Sequence, residues 1–334
     1  MSKKIAINGF GRIGRLTTRI LTNSFPEVEI VAVNDLTSPE NLAYLLKYDT
    51  TYRKFNFDVK AQDGNIIIST DKGDKIIKVL SERDPANLPW KDLGVDTVIE
   101  STGFFTKTED ASKHLTAGAR RVVLSAPAKS SDIPTVVLGV NNFSPEDKII
   151  SNASCTTNCV APILKVLSEN FQVENIFAVT NHAYTATQPL QDGPTKKDFR
   201  DGRAGAVNAI PSSTGAAKAV ELVLPSLKGK LSLSSLRIPV ITGSSVYLVA
   251  QLKDANITAE GFNAMVKEAS QTYLKGILEY TDEAIVSSDI IANPHSSIFD
   301  SNLTQVLGNT VNFVVWYDNE WGYSNRLAEV VAGI

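Results

Sequence analysis

The chain has two cysteines, Cys155 and Cys159, in 334 residues, too few and too close together for a disulfide framework. Oxidation between them would be a lesion or a switch. Histidine is scarce too: His114, His182 and His295 are the only imidazoles available as a base near neutral pH. No apolar run approaches the roughly 20 residues that a membrane helix needs. The start, Met1-Ser2-Lys3-Lys4-Ile5, passes into a strand pattern without an apolar leader core, so a cytosolic protein is expected. A net charge of −3 gives no footprint for nucleic acid, and basic pairs such as Lys196-Lys197 read as solvated surface. No internal repeat or low-complexity tract is present, and no metal is expected. What remains is a soluble globular composition, 43% hydrophobic with a mean hydropathy of −0.04, in a chain long enough for two domains.

The cysteines lie in Ser151-Asn152-Ala153-Ser154-Cys155-Thr156-Thr157-Asn158-Cys159, between an apolar strand pattern at 148–150 and a helical one. Val160, Ile163, Leu164 and Leu167 recur at helical spacing, so Cys155 opens a helix with Ser154 as its N-cap. There the sulfur faces unpaired N–H groups and the positive end of the macrodipole, which favours thiolate. Such surroundings bring cysteine from about 8.5 to roughly 3.5–7.5. Local sequence leaves Cys155 as either a nucleophile or an inert thiol; Cys159, one turn on, fits the inert reading better.

The first half carries a dinucleotide pattern. An apolar strand, residues 4–8, runs into Gly9-Phe10-Gly11-Arg12-Ile13-Gly14 and a helix through Thr22. Gly9 permits the tight turn, Gly11 lets backbone approach a pyrophosphate, and Gly14 lets helix pack on strand, with the helix N-terminus facing the phosphates. A second strand, 29–34, ends in Asp35, placed to accept hydrogen bonds from an adenosine ribose; its charge would repel a 2′-phosphate, so NAD is expected rather than NADP. Residues 65–69 and 75–80 read as a hairpin within the parallel series. Strands at 96–100, 121–125, 135–138 and 148–151, with a helix over 108–117, complete the sheet. Thr102, Gly103 and Ser125, at strand ends, would line the ligand crevice, though ordinary turn chemistry also explains them.

In the second half, an apolar strand over 175–181 delivers His182, the histidine best placed to meet a thiol; His114, on a polar helix, and His295, after a proline, read as surface. A long polar loop, 188–205, carries Arg200 and Arg203. A small-residue helix starting near Ser212, with Thr214 and Gly215 at its front, suits a phosphate. Arg237, inside a strand of hydroxylic and aliphatic residues, needs a counter-charge, either a substrate phosphate or an internal carboxylate. Strands at 245–252 and 310–317, an amphipathic helix at 258–275 and a closing helix suggest a mixed, largely antiparallel sheet covered on one face. The fold class expected is α/β: a Rossmann-type, doubly wound parallel sheet plus an α+β domain.

These motifs together resemble the phosphorylating glyceraldehyde-3-phosphate dehydrogenase family over essentially the whole chain. They are residues 7–14, 151–158, His182-Ala183-Tyr184-Thr185, 213–218 and 316–323. The resemblance implies an NAD-binding domain of residues 1–154 closed by 318–334, and a catalytic domain of 155–317. It implies that Cys155 is the nucleophile and His182 its base. NAD would be held by Gly9, Phe10, Gly11, Arg12, Ile13, Gly14, Asp35, Arg83, Thr102, Gly103, Ser125 and Asn319, the last on the nicotinamide carboxamide. Thr185 and Arg237 would take the substrate's own phosphate. Ser154, Thr156, Thr214 and Gly215 would take inorganic phosphate, with Arg200 or Arg203 facing one of the phosphates. It further implies glyceraldehyde 3-phosphate and inorganic phosphate as substrates, and a cytosolic homotetramer in glycolysis. Two stretches depart from the family pattern, Val240 to Tyr247 and Thr50 to Lys54. The alternatives are an erythrose-4-phosphate dehydrogenase of the same family and, from another class, an NAD-binding redox sensor or scaffold.

Overall fold

The computed structural model describes residues 2–196, 198–253 and 256–333. Lys197, half of the Lys196-Lys197 pair, lies outside the described residues. The chain divides into two compact units, one of Met1–Val136, Phe143–Ala153 and Ser324–Ile334, the other of Val137–Asn142 and Ser154–Tyr323.

The first unit is built on an eight-stranded sheet in the order Ile149–Ser151, Arg121–Leu124, Thr97–Glu100, Lys3–Asn8, Val28–Asn34, Gly73–Leu80, Asn65–Thr70, Asp58–Gln62. The first six run parallel, and the last two return antiparallel as the expected hairpin and one further strand. Ile5, Ile7, Val33, Val98, Ile99, Val122 and Val123 are all buried, as a parallel sheet requires of consecutive residues. From Lys3–Asn8 the chain crosses by the helix Arg12–Ser24 to Val28–Asn34, then later returns to the opposite edge of the first strand as Thr97–Glu100. Strand order reverses at that point, which places the ligand crevice of an open α/β sheet at these strands' C-terminal ends. This is the Rossmann-type arrangement expected.

One expected strand is absent. Residues 135–138 contribute only a single bridge, Thr135 to Ser151, because the chain turns away at once, with Gly139 at φ +81°.

The second unit holds a seven-stranded mixed sheet in the order Ile210–Ser212, Leu231–Ile238, Val173–Ala183, Ser244–Leu252, Thr310–Tyr317, Ser297–Leu307, Leu278–Thr281. Four of its six pairings are antiparallel. Strand Val173–Ala183 alternates as a half-covered strand must. Ile176, Ala178, Thr180 and His182 are buried on one face, while Phe177 and Val179 stand on the other, 63% and 42% exposed. The helix Cys155–Asn170, beginning where expected, packs against Ala216–Val223, Ala259–Gln271 and the strand Ser297–Leu307. The small-residue helix starts at Ala216, later than Ser212, because Ile210–Ser212 pairs as an edge strand with Leu231–Ile238.

Candidate active site

Within the first unit, the glycine loop is a backbone device. Gly9 has φ +90°, and a Cβ there would stand 2.7 Å from Thr102 N; a Cβ on Gly14 would stand 2.5 Å from Gly9 O. Gly11, by contrast, faces nothing within 4 Å. As N-cap of Arg12–Ser24 it makes no side-chain hydrogen bond to the first turn of the 13-residue helix, the end whose dipole favours a phosphate. Asp35 Oδ2 accepts from Phe10 N at 2.9 Å and Oδ1 from Thr37 N at 3.1 Å, so the carboxylate is held at the crevice. A cleft of about 460 Å³ is lined here by Gly9, Gly11, Asp35, Arg83, Thr102 and Phe104 among others. These residues fit a dinucleotide. The ring of Phe10 is wholly buried, which leaves only its backbone to face a ligand. The Arg12 guanidinium is committed to Asp49. Gly103 has φ +76°, and Ser125 N donates to Glu100 O at 2.9 Å, fixing both at strand ends.

Sequence reading missed the support beneath this loop. Glu100, 1% exposed, accepts from Thr102 N at 2.8 Å, from the Thr102 hydroxyl, and from Asn8 Nδ2 at 2.6 Å. His114, expected at the surface, is 0% exposed. Trp90 Nε1 donates to its Nδ1 at 3.1 Å, which leaves Nε2–H to donate to Glu100 at 3.0 Å. The helix Thr108–Thr116 is polar over most of its surface, so one inward histidine left no periodic trace. His295 is half-buried against Glu279 at 2.8 Å.

In the second unit Ser154 caps the helix as expected, its Oγ accepting from Thr157 N at 3.1 Å. Cys155 Sγ lies 3.4 Å from His182 Nε2. The strand reaches Ala183, so His182 is set by the sheet rather than by a loop, and parallel pairing puts it opposite Arg237. Arg237 Nη1 is 2.7 Å from His182 Nδ1. Among the described residues no carboxylate pairs with Arg237, which removes the internal counter-charge as an explanation for it. Tyr317, within the 316–323 motif but given no role there, meets His182 edge-on, and its hydroxyl lies 2.9 Å from both Thr156 Oγ1 and Thr180 Oγ1.

Burial pushes the Cys155 thiol up, against Arg237 and the helix N–H groups that draw it down. The expected depression is therefore reversed in the ligand-free chain. Burial, seconded by Arg237, pushes His182 down to about 3. At neutral pH the two rest as thiol and neutral imidazole. Cys159, wholly buried, is raised further still by burial.

The remaining sites are less drawn together. Thr185 Oγ1 is 2.9 Å from Thr187 Oγ1, and Thr214 Oγ1 accepts from Ala216 N at 3.1 Å. Gly215 is the N-cap of that helix. Arg200 closes on Asp198 and Arg203 on Asp192, both exposed, and no described bond ties either to Cys155. Asn319, buried, accepts from Ser244 Oγ at 2.8 Å and from Thr242 Oγ1 at 3.3 Å. The atypical stretch 240–247 thus braces Asn319.

Residues 3–108 match the family model "Glyceraldehyde 3-phosphate dehydrogenase, NAD binding domain", and 154–319 match its C-terminal domain. The chain belongs to the glyceraldehyde-3-phosphate dehydrogenase family. It is 52% identical over 339 residues to glyceraldehyde-3-phosphate dehydrogenase of Mycobacterium avium, covering 99% of this chain and 98% of that one. It is 53% identical to glyceraldehyde-3-phosphate dehydrogenase 1 of Trichormus variabilis (98% and 95%) and 52% identical to the Chlamydia pneumoniae enzyme of that name (98% and 97%). Among the described residues no group of three or more His, Cys, Asp or Glu is placed to hold a metal, and no helix is long and apolar enough to cross a membrane.

Proposed function

We infer that this chain oxidises and phosphorylates D-glyceraldehyde 3-phosphate to 1,3-bisphosphoglycerate, with NAD as cofactor and inorganic phosphate as second substrate. The observation that carries this reading is the 3.4 Å contact between Cys155 Sγ and His182 Nε2 at the head of a capped helix. Cys155 adds through sulfur to the aldehyde carbon as the C=O π bond opens, its thiol proton passing by way of His182 Nε2 to the aldehyde oxygen, and a neutral hemithioacetal forms. NAD, when bound, supplies the hydride acceptor for its oxidation. His182 Nε2 takes the hydroxyl proton, leaving the acyl group on sulfur as a thioester. Inorganic phosphate then attacks the thioester carbon, sulfur leaves, and the acyl phosphate is released.

Gly9, Phe10, Gly11, Arg12, Ile13, Gly14, Asp35, Arg83, Thr102, Gly103, Ser125 and Asn319 would hold NAD. Thr185 and Arg237 would hold the substrate's phosphate; Ser154, Thr156, Thr214 and Gly215 would hold the attacking one, with Arg200 assigned to a phosphate that displaces its aspartate. Residues 1–154 with 318–334 take the nucleotide role and 155–317 the catalytic one. A cytosolic homotetramer accords with the family's place in glycolysis. Its support here is the uncovered sheet face, where Phe177 lies opposite Val249 and Val179 opposite Tyr247, all exposed.

Phosphate-dependent NADH formation from glyceraldehyde 3-phosphate tests the reading. Wild type should show it, Cys155→Ser should lose it, and His182→Asn should fall about 10²–10⁴-fold. Faster turnover of erythrose 4-phosphate, or full activity in Cys155→Ser, would overturn it.

A further inference from the structure

Four donors converge on the buried carboxylate of Glu100. Thr102 N, at 2.8 Å, and the Thr102 hydroxyl meet Oε1; Asn8 Nδ2, at 2.6 Å, and His114 Nε2, at 3.0 Å, meet Oε2. The direction of the last two bonds is set further out, by groups that cannot reverse. The indole N–H of Trp90 only donates, and it takes the lone pair of His114 Nδ1 at 3.1 Å, so the ring's hydrogen stands on Nε2. On the other side, Asn34 is clamped by the backbone of one residue: Glu82 N donates to its Oδ1 and Glu82 O accepts from its Nδ2, both at 2.8 Å. Asn34 Nδ2 then also donates to Asn8 Oδ1, at 2.7 Å, which turns the amide nitrogen of Asn8 towards Glu100. From Trp90 inward and from Glu82 inward, the bonds point at one carboxylate.

We propose that Glu100 is a positioning residue for NAD, a buried anion that fixes the Thr102 side of the cofactor cleft and, through Asn8 and Asn34, the side that carries Asp35 and Arg83. This rests on the reading of the glycine loop and its cleft as the cofactor site. Asn8, Asn34, Glu82 and Thr102 line that cleft, whereas Glu100, His114 and Trp90 are buried under it, 1% exposed or less. Thr102 is the sensitive end. A Cβ on Gly9 would stand 2.7 Å from Thr102 N, and Ser101 Oγ donates to Gly9 O at 2.6 Å, so the glycine turn lies directly against residues 101 and 102. Glutamine at position 100 keeps the shape and replaces one acceptor by an –NH₂ group. Set at the Oε2 side, that group faces two donors whose orientation is fixed. Set at the Oε1 side, it faces only Thr102 N, because the hydroxyl can rotate to accept. The conflict therefore settles on Thr102 N, whose bond is lost while those of Asn8 and His114 are kept.

Glu100→Gln in the full chain tests this. Its NAD affinity, by calorimetry, should weaken about tenfold and KM for NAD should rise in step, while kcat at saturating NAD and KM for the aldehyde stay within about twofold of wild type. Amide exchange followed by mass spectrometry should quicken in the peptide that carries Thr102 and stay unchanged over Val28–Asn34. A folded Glu100→Gln that binds NAD as wild type does overturns the proposal, whatever its melting temperature, since a role in stability alone leaves that affinity intact. Gly11→Ala reports separately on the cleft. If it weakens NAD binding and Glu100→Gln does not, the cofactor site stands and the positioning role falls; if it binds NAD as wild type does, the cleft assignment fails and the proposal with it. ¹⁵N NMR of the histidine-labelled wild type decides the matter even if the glutamine variant does not fold. With the other two signals assigned by His182→Asn and His295→Gln, His114 should carry its hydrogen on Nε2 and none on Nδ1. A hydrogen on His114 Nδ1 breaks the directional chain and overturns the assignment.

Discussion

Cys155 and His182 constrain each other less through their own contact than through what encloses them. Because burial holds the thiol above its ordinary range, the reactive thiolate fraction should grow with pH through neutrality. The rate of Cys155 alkylation by iodoacetamide should therefore climb close to tenfold per unit from pH 7 to 8.5; a plateau reached below pH 7 would contradict the enclosure. His182 acts in the opposite sense on stability. Its folded pKa, about 3, is depressed below the ordinary 6.5, so the unfolded chain binds the extra proton between those values. Stability is then full above pH 6.5 and falls as pH drops towards 3, by on the order of 5 kcal/mol if the whole difference is expressed. Acid titrations of urea midpoints should show this slope in wild type and a shallower one in His182→Asn. The two residues were legible in sequence because each stands at the edge of a strongly periodic element. The direction of the thiol's shift was not, since part of what surrounds it is distant in the chain, as with Tyr317, which bonds Thr156 from 161 positions further on.

At the scale of elements, the glycine loop makes a prediction that separates fold from ligand. Gly9→Ala and Gly14→Ala place a methyl against backbone and should lower thermal stability along with NAD affinity. Gly11→Ala meets open space in the free chain, so its melting temperature should stay within a degree or two while NAD binding, measured by calorimetry, weakens tenfold or more. Equal NAD affinity in Gly11→Ala and wild type would mean that the pyrophosphate does not pass there. Most strands were readable from apolar runs, as with Thr310–Tyr317 and Asn65–Thr70. Among those that were missed, Asp58–Gln62 and Ser297–Leu307 carry polar residues at many positions and are held by their neighbours rather than by their own composition. His114 and Glu100 escaped for a related reason. A buried polar pair is stabilised by partners that only the tertiary fold supplies, Trp90, Asn8 and Thr102.

For the molecule as a whole, the mixed sheet turns an apolar patch outward that a monomer would leave in water. Tyr247 and Val249 on Ser244–Leu252 extend the row begun by Phe177 and Val179. If the proposed homotetramer uses this face, Phe177→Asp with Tyr247→Asp should lower the sedimentation coefficient towards that of a smaller assembly while the far-ultraviolet circular dichroism is kept. An unchanged coefficient would exclude this face as the contact between copies. That same sheet sets the distance between His182 and Arg237, which are opposite one another in a parallel ladder although 55 positions separate them in the chain. Within the intervening excursion, 184–230, the loops outside Ile210–Ser212, whose Ile210 pairs with Arg237, can gain or lose residues without shifting the ladder that aligns the pair. A single deletion inside either strand would carry the imidazole or the guanidinium through to the opposite side of the sheet, and the two would cease to be neighbours. Loop length is free to drift in descendants of this chain, and the ladder is not.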